Sequence, residues 1–481
     1  MPATRLSALD ASFLAAETPT AHMHVGWAAV FDPPEHGSRP SFRELRDHLA
    51  SRLDRAPRYR QRLAFVPFDL HDPIWVDDDK FDITRHVMEA PGGDIGSIAE
   101  TVMSTPLERS RPMWETWIAP ELDDGRIGVV GKVHHCTVDG LAAVELATLI
   151  LDAMPEPPAA DIDSWEPQPA PGMLERLVRG VTDRALTELN LLRLPAALLG
   201  SPGRLAADAR RAAMAIGNTF GRPATPTSTL NPRISPLRGL ARLGRPIDDF
   251  VRIKSHFGTT LNDVVLAVCS GGVQRFLAER GEVPGTVKAM VPVTMRAADA
   301  AGDLGNRISF MFMELPTDEP DPAARLREIN GTTSERKRSG EPQGGDTVLT
   351  ALRYTPRTVQ RVMTRLVASP RTFNLVVSNI PGPREPLWMR GCRLRESYPV
   401  VPLADRHAVA IGVTSIADGL FFGIYVDRKA LPDADLLASY INESIDELLA
   451  LCGGGPNGSG NGDGNGRASR TRRPEPAQAG V

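Results

Sequence analysis

A proline-rich break, PEPPAADIDSWEPQPAPG at 155–172, separates two long stretches that each carry both strand-like and helix-like patterns. Proline fixes φ and offers no N–H, so such a run neither continues a helix nor enters a central strand. It reads as a linker. At 481 residues the chain is also too long for one ordinary core. The expected organisation is a mixed α/β domain at 1–155, a connecting segment at 156–235, a second α/β domain at 236–452, and a Gly-rich polar tail at 453–481.

The first stretch supplies HMHVGWAAVF (22–31) and GRIGVVGKVHH (125–135) as strands, and SFRELRDHLASRL (41–53) as a helix led by a serine cap. After Gly140, LAAVELATLILDAM is apolar nearly all round and reads as a buried helix. Beyond the linker, 173–199 and 204–217 alternate apolar and basic residues. Two amphipathic helices are expected there, whose apolar faces either pack on the protein or meet a membrane surface. The second α/β stretch opens with GTTLNDVVLAVCSGGVQRFLAERG (258–281), where Thr260 and Asp263 have capping-box spacing. Strand-like runs follow at TVKAMVPVTM, RISFMFMEL, FNLVVSNI and GLFFGIYVD.

Composition excludes several classes. The formal charge of −4, with no basic stripe interleaved with aromatics, gives no footprint for nucleic acid. The four cysteines are scattered without a CxxC pair, which fits a reducing compartment. The start has no uninterrupted apolar run of signal-peptide type, and no window of about 18 apolar residues is free of charge. No secretory signal and no spanning helix are expected, which places the chain on the cytoplasmic side. Gly453, Gly455 and Gly458 spell GxGxxG, but with no strand before it or helix after it the motif carries no weight.

The chemistry concentrates in KVHHCTVDG (132–140), where two of only ten histidines stand together as a strand runs into a helix. Three readings are open. Neighbours on a strand point to opposite faces, so His134 and His135 are poorly placed to share one metal ion, and no HExxH or HxxxH spacing adds ligands. A neutral imidazole at a strand end can act as a base if its tautomer is fixed. Both rings can equally be satisfied core residues. Asp139 can cap the next helix or form a buried ion pair, and Gly140 permits a tight turn.

HHxxxDG is the signature of the CoA-dependent acyltransferase superfamily. Within it the chain resembles the bacterial wax ester synthase/acyl-CoA:diacylglycerol acyltransferase family. LDASFLAAE (9–17), RPMWETW (111–117), STLNPRIS (228–235), LNDVVLA (261–267), VPVTMR (291–296), DLGNRIS (303–309) and VVSNIPGPREPLW (376–388) match in family order. The resemblance implies two chloramphenicol-acetyltransferase-like domains of mixed sheets, a long crossing linker and a tunnel between the domains.

It further implies that His135 is the general base and His134 its supporting neighbour. Asp139 and Gly140 would shape the turn, with Arg296 as the candidate partner for Asp139. Asn262 would support the site, although first-turn capping is an equal reading for Asn262 and Asp263. Trp114 and Trp117 suit core packing at least as well as site support. Glu17 is either a site residue or an ordinary exposed helix residue. Asn379, Pro381, Gly382 and Pro383 would form a rigid turn between the domains.

The implied reaction is direct transfer from acyl-CoA, a co-substrate, to diacylglycerol or a long-chain alcohol, with no cofactor and no metal. The insoluble acceptor implies peripheral contact with a membrane or lipid droplet. No GxSxG elbow supplies a serine nucleophile, and Cys136 is expected to face away from His135.

Overall fold

The structure, a computed structural model, describes residues 4–67, 71–137, 151–157, 165–178, 180–182, 223–283, 286–294, 308–338, 365–383 and 385–453. Asp139, Gly140, Arg296, most of the helix expected after Gly140 and the tail from 454 lie outside them.

The chain opens with β1 (Thr4–Arg5) and helix α1 (Ala8–Ala16), whose first turn is capped by Ser7 accepting the Asp10 N–H. Next come β2 (His24–Asp32) and α2 (Phe42–Ala50). The expected serine cap of α2 is a full capping box. Ser41 accepts the Glu44 N–H, and the Glu44 carboxylate accepts the Ser41 N–H at 2.9 Å. Short strands β3 (Gln61–Ala64), β4 (Ile74–Asp77) and β5 (Val87–Glu89) precede α3 (Ile95–Ser104), β6 (Trp114–Ala119) and β7 (Ile127–His134).

The second half contributes β8 (Arg238–Pro246), α4 (Ile247–Phe257) and α5 (Leu261–Glu279), followed by β9 (Val287–Thr294), β10 (Ile308–Leu315) and α6 (Pro322–Arg338). Strands β11 (Leu375–Ile380), β12 (Trp388–Met389), β13 (Cys392–Val400), β14 (Val409–Ile416) and β15 (Gly419–Asp427), and helix α7 (Ala434–Leu451), complete it.

Two six-stranded mixed sheets result, in the orders β12-β13-β2-β7-β6-β5 and β10-β9-β11-β14-β15-β8, beside a small β1-β4-β3 sheet. The sheets do not divide where the linker divides the chain. Strand β13, from the second half, pairs antiparallel with β2 from Arg393↔Asp32 to Val400↔Gly26. A domain boundary at 236 therefore describes the sequence but not the packing. The buried apolar residues agree, since Val25 and Val129 of the first sheet belong to the same cluster as Ile411 and Ile424 of the second.

Strand β13 also presses on the second sheet. Gly412 and Gly423 are paired neighbours on β14 and β15. A Cβ on Gly423 would stand 2.1 Å from the Pro399 carbonyl oxygen, and one on Gly412 2.9 Å from the same atom. Only glycine allows that approach, because the obstacle is backbone. Gly423→Ala is expected to cost about 1–3 kcal/mol, as overpacking does. An unchanged urea midpoint would show that the two sheets are not in contact there.

The linker is laid along the first half, where Gln168 N–H donates to Asp77 Oδ2 at 3.1 Å and Trp165 meets Phe81 edge-on. The first expected amphipathic helix begins at 173, with 173–178 and 180–182 helical. Its apolar residues Met173, Leu174, Val178 and Val181 are exposed. Packing of this face on the protein, one of the two alternatives, is thus not what these four residues do. The remainder, 183–222, lies outside the described residues.

Candidate active site

Strand β7 is buried along its whole length between β2 and β6. Its apolar, β-branched run suits a central strand covered on both faces. It ends at His134, which lies opposite His24. Two main-chain bonds pin the exit. The His134 N–H donates to Met113 O at 3.0 Å, and the His135 N–H donates to Met23 O at 2.9 Å. The Thr137 N–H then closes a turn on His134 O at 2.8 Å.

The two rings differ in environment. His134 Nδ1 accepts the Cys136 N–H at 3.2 Å, so its proton resides on Nε2. That nitrogen faces Glu17 Oε2 at 3.4 Å, and Arg109 binds the same carboxylate oxygen. Burial pushes the Glu17 carboxyl up, but hydrogen bonds and charge from His134 and Arg109 outweigh it and hold the group below its usual range. His135 is partly exposed as a residue. Its ring stacks on Phe13, with centroids 3.6 Å apart and planes 15° from parallel. Desolvation lowers its pKa to about 4, outweighing the opposing pull of its own carbonyl, with a smaller lowering from His134. The ring is neutral at physiological pH.

Alternation along β7 sets Val129 on the face that Val25, Trp27, Ala29 and Phe31 of β2 share. A narrow apolar cleft lies over this face, closed on its far side by Ile380, Pro383, Thr414 and Ile416 from the second half. Continuing the alternation through Val133 leads to His135. The opposite face carries Lys132, whose ammonium donates to Val102 O (2.9 Å) and Thr105 O (2.8 Å) and pairs with Glu115 (3.0 Å). Lys132 is thus fully engaged in holding the strand.

The other candidates separate. Trp114 is buried, donates to Tyr59 O at 2.7 Å and packs on Tyr59 and His86, so it is a core residue. Trp117 is half-buried on the same strand and donates to Glu115 at 3.3 Å. Asp263 spends one oxygen on the Thr260 N–H (2.9 Å) and the other on the Thr333 hydroxyl (2.7 Å), so it caps α5 and ties it to α6. That is the capping alternative expected for it. Asn262 is half-buried in the first turn of α5. Gly382 N–H donates to Ser415 Oγ at 3.3 Å. The Cys136 thiol is buried among Leu6, Leu107 and Met113, and burial pushes its pKa well up, so it is not a ready thiolate. Among the described residues no group of three or more His, Cys, Asp or Glu side chains is gathered as a metal ion would need. Sequence reasoning gave no role to Phe13, although it lies in the LDASFLAAE segment, and missed Arg109 and Met23, which carry no motif signal.

Two mixed six-stranded sheets, the first completed by a strand from the second half, make up a fold that solved structures share. The first condensation domain of the calcium-dependent antibiotic synthetase shares that fold (TM-score 0.60, 17% identity, covering 93% of this chain and 96% of that one). A wax ester synthase/diacylglycerol acyltransferase from Marinobacter aquaeolei superposes with a TM-score of 0.67 at 26% identity, covering 94% of this chain and all of that one. The profile of the wax ester synthase/diacylglycerol acyltransferase catalytic domain matches residues 6–265, and that of the family's C-terminal domain matches 304–449. A Mycobacterium tuberculosis protein named "probable diacylglycerol O-acyltransferase" is 32% identical over 459 residues, 93% of this chain and 96% of its own length. This chain belongs to the wax ester synthase/diacylglycerol acyltransferase family.

Proposed function

We propose that this chain transfers a long-chain acyl group from acyl-CoA to the free hydroxyl of diacylglycerol, forming triacylglycerol and releasing CoA. The observation that carries the reading is His135, a neutral imidazole held at the exit of the central strand within HHxxxDG. Its ring takes the hydroxyl proton as that oxygen attacks the thioester carbonyl. The C–S bond breaks, and the imidazolium returns the proton to the departing thiolate. No acyl-enzyme intermediate is required, and the buried, protonated Cys136 supports that economy. The apolar cleft between the two halves supplies an apolar surface suited to a lipid chain, on the face of β7 that leads toward His135. His134 supports the base, and Asp139 and Gly140 shape the turn after it, with Arg296 as partner of Asp139. Asn262 supports the site from the start of α5.

The acceptor is tested by supplying acyl-CoA with diacylglycerol or with hexadecanol to the full chain. Triacylglycerol as the main product is expected. Wax ester as the main product would move the chain to the other activity in the family's name. Product from neither acceptor would overturn the transferase reading and leave a lipid-binding protein.

Contact with a membrane or droplet surface belongs to the same proposal. No helix among the described residues is long and apolar enough to cross a membrane. The exposed face of Met173, Leu174, Val178 and Val181 supplies an apolar surface for lying on one. Binding to phosphatidylglycerol vesicles is expected in flotation, and Leu174→Glu/Val178→Glu should at least halve the bound fraction. Equal flotation of wild type and variant would remove this helix from the contact.

A further inference from the structure

The strand carrying the histidines is held by its neighbours, but the rings themselves are gripped from a different element. We infer that α1 and the turn after it form a positioning clamp for the base, with Phe13 and Glu17, one helical turn apart, each fixing one of the two rings. The inference rests on His135 being the base and concerns what aims it.

The geometry comes from one continuous segment, 13–23. Residues four apart on a helix share a face. Glu17 caps the C-terminus of α1, and its N–H donates to Phe13 O at 3.1 Å, which couples the two positions directly. Phe13 lies flat on His135. Glu17 holds Nε2 of His134, whose Nδ1 in turn holds the Cys136 N–H and thereby the turn containing His135. Six residues on from Glu17, Met23 gives its carbonyl to the His135 N–H. Met23 sits at φ 52°, a left-handed conformation that an unbranched side chain adopts only at a cost. The strained residue is the one whose carbonyl fixes the base.

The helix is itself anchored, so that the grip is firm. Ala11, with Phe13 and Leu14 beside it, packs into the cluster of Leu107, Met113 and Cys136. Arg109 clamps Glu17 from the loop that follows Leu107. Phe13 covers one face of the His135 ring, limits its rotation and keeps water from it, which favours the neutral form. Among the described residues, the titratable and charged groups near the pair include His134 and Lys132 on β7, His22 just before β2 and His24 on it, Asp10 and Glu17 at α1, Cys136, Arg109 and Arg238. His24 is itself held neutral by burial and by the charge of Lys132.

The test compares Phe13→Leu, Phe13→Tyr and Glu17→Ala with wild type and His135→Ala, in full-length protein, by pH profiles of acyl transfer. In Phe13→Leu the flat ring is lost but the bulk is kept. Its kcat is expected to fall about ten- to a hundred-fold, as small misplacements of a reacting group do, with KM for acyl-CoA changed less than threefold. The acid limb of kcat/KM should move up from about 4 toward the ordinary histidine value near 6.5. Phe13→Tyr should restore both, and Glu17→Ala should lower kcat by a similar factor. If His135→Ala is inactive while Phe13→Leu and Glu17→Ala keep wild-type kcat and acid limb, the clamp is wrong and the base stands. If His135→Ala remains active, the base reading itself fails. Should Phe13→Leu lose its cooperative melting transition, Glu17→Ala and the Phe13→Tyr profile decide the matter, and wild-type behaviour in Glu17→Ala overturns the clamp.

Discussion

His135→Ala is expected to lower acyl transfer by about two to four orders of magnitude, the usual contribution of a positioned base, while leaving the melting transition in place. The structure gives reasons for both halves. Among the described residues the ring's covering contact is the stack on Phe13 and Nδ1 has no hydrogen-bond partner, so its loss removes one aromatic contact and strands no described partner. The turn survives because the bonds that shape it are main-chain, from His134 N–H to Met113 and from His135 N–H to Met23. What disappears is the only imidazole of the pair left free to take a proton, since His134 is committed to Cys136 on one nitrogen and Glu17 on the other. Steady-state assay beside thermal unfolding checks the pair of outcomes. Activity within tenfold of wild type would remove His135 from the chemistry.

Asp152→Ala is expected to have the largest effect on stability, about 3–5 kcal/mol, the cost of stripping a buried charge of its partner. Asp152 is 4% exposed. Arg52 binds it through Nε and Nη2, both at 3.1 Å, His48 Nε2 lies 3.1 Å away and Arg55 approaches to 3.3 Å. Burial and the Arg52 charge, against the pull of Asp152, bring the His48 pKa down to about 4, so His48 is neutral and the charge pairing is with the arginines. Removing the carboxylate leaves the Arg52 guanidinium, itself 4% exposed, without its counter-charge. The effect reaches further because Asp152 also exchanges both main-chain bonds with Trp388 of β12 (2.8 and 2.9 Å). One residue thus ties the chain downstream of the histidines to α2 and to a strand from the far half. A fall in urea midpoint with unchanged slope would bear this out, and a change below 1 kcal/mol would show that water replaces the carboxylate.

Where the signal was local, the sequence was readable. The apolar run into His134 gave β7, and Thr260 with Asp263 gave the capping box of α5, because each depends on neighbours within a turn or a strand. The pairing of β13 with β2 was not readable. CRLRESYPV mixes charges into a strand whose partner lies more than 350 residues earlier in the chain, and no local pattern encodes that match. The histidine pair stood out by its motif, whereas the LDASFLAAE segment marks Phe13 without saying what its ring touches, which only the stack on His135 shows. The cluster at Asp152 joins residues about 100 positions apart and is invisible to periodicity for the same reason.

The exchange of β13 between the halves has a consequence for any attempt to divide the molecule. A gene cut within the proline-rich segment would encode a first half whose β2 edge lies bare, with a row of unanswered N–H and C=O groups. Neither piece is then a self-sufficient unit, and each alone would be prone to stick to its own copies. Supplied together they would rebuild the missing hydrogen-bond ladder, so the two halves behave as complementary fragments of one folding unit.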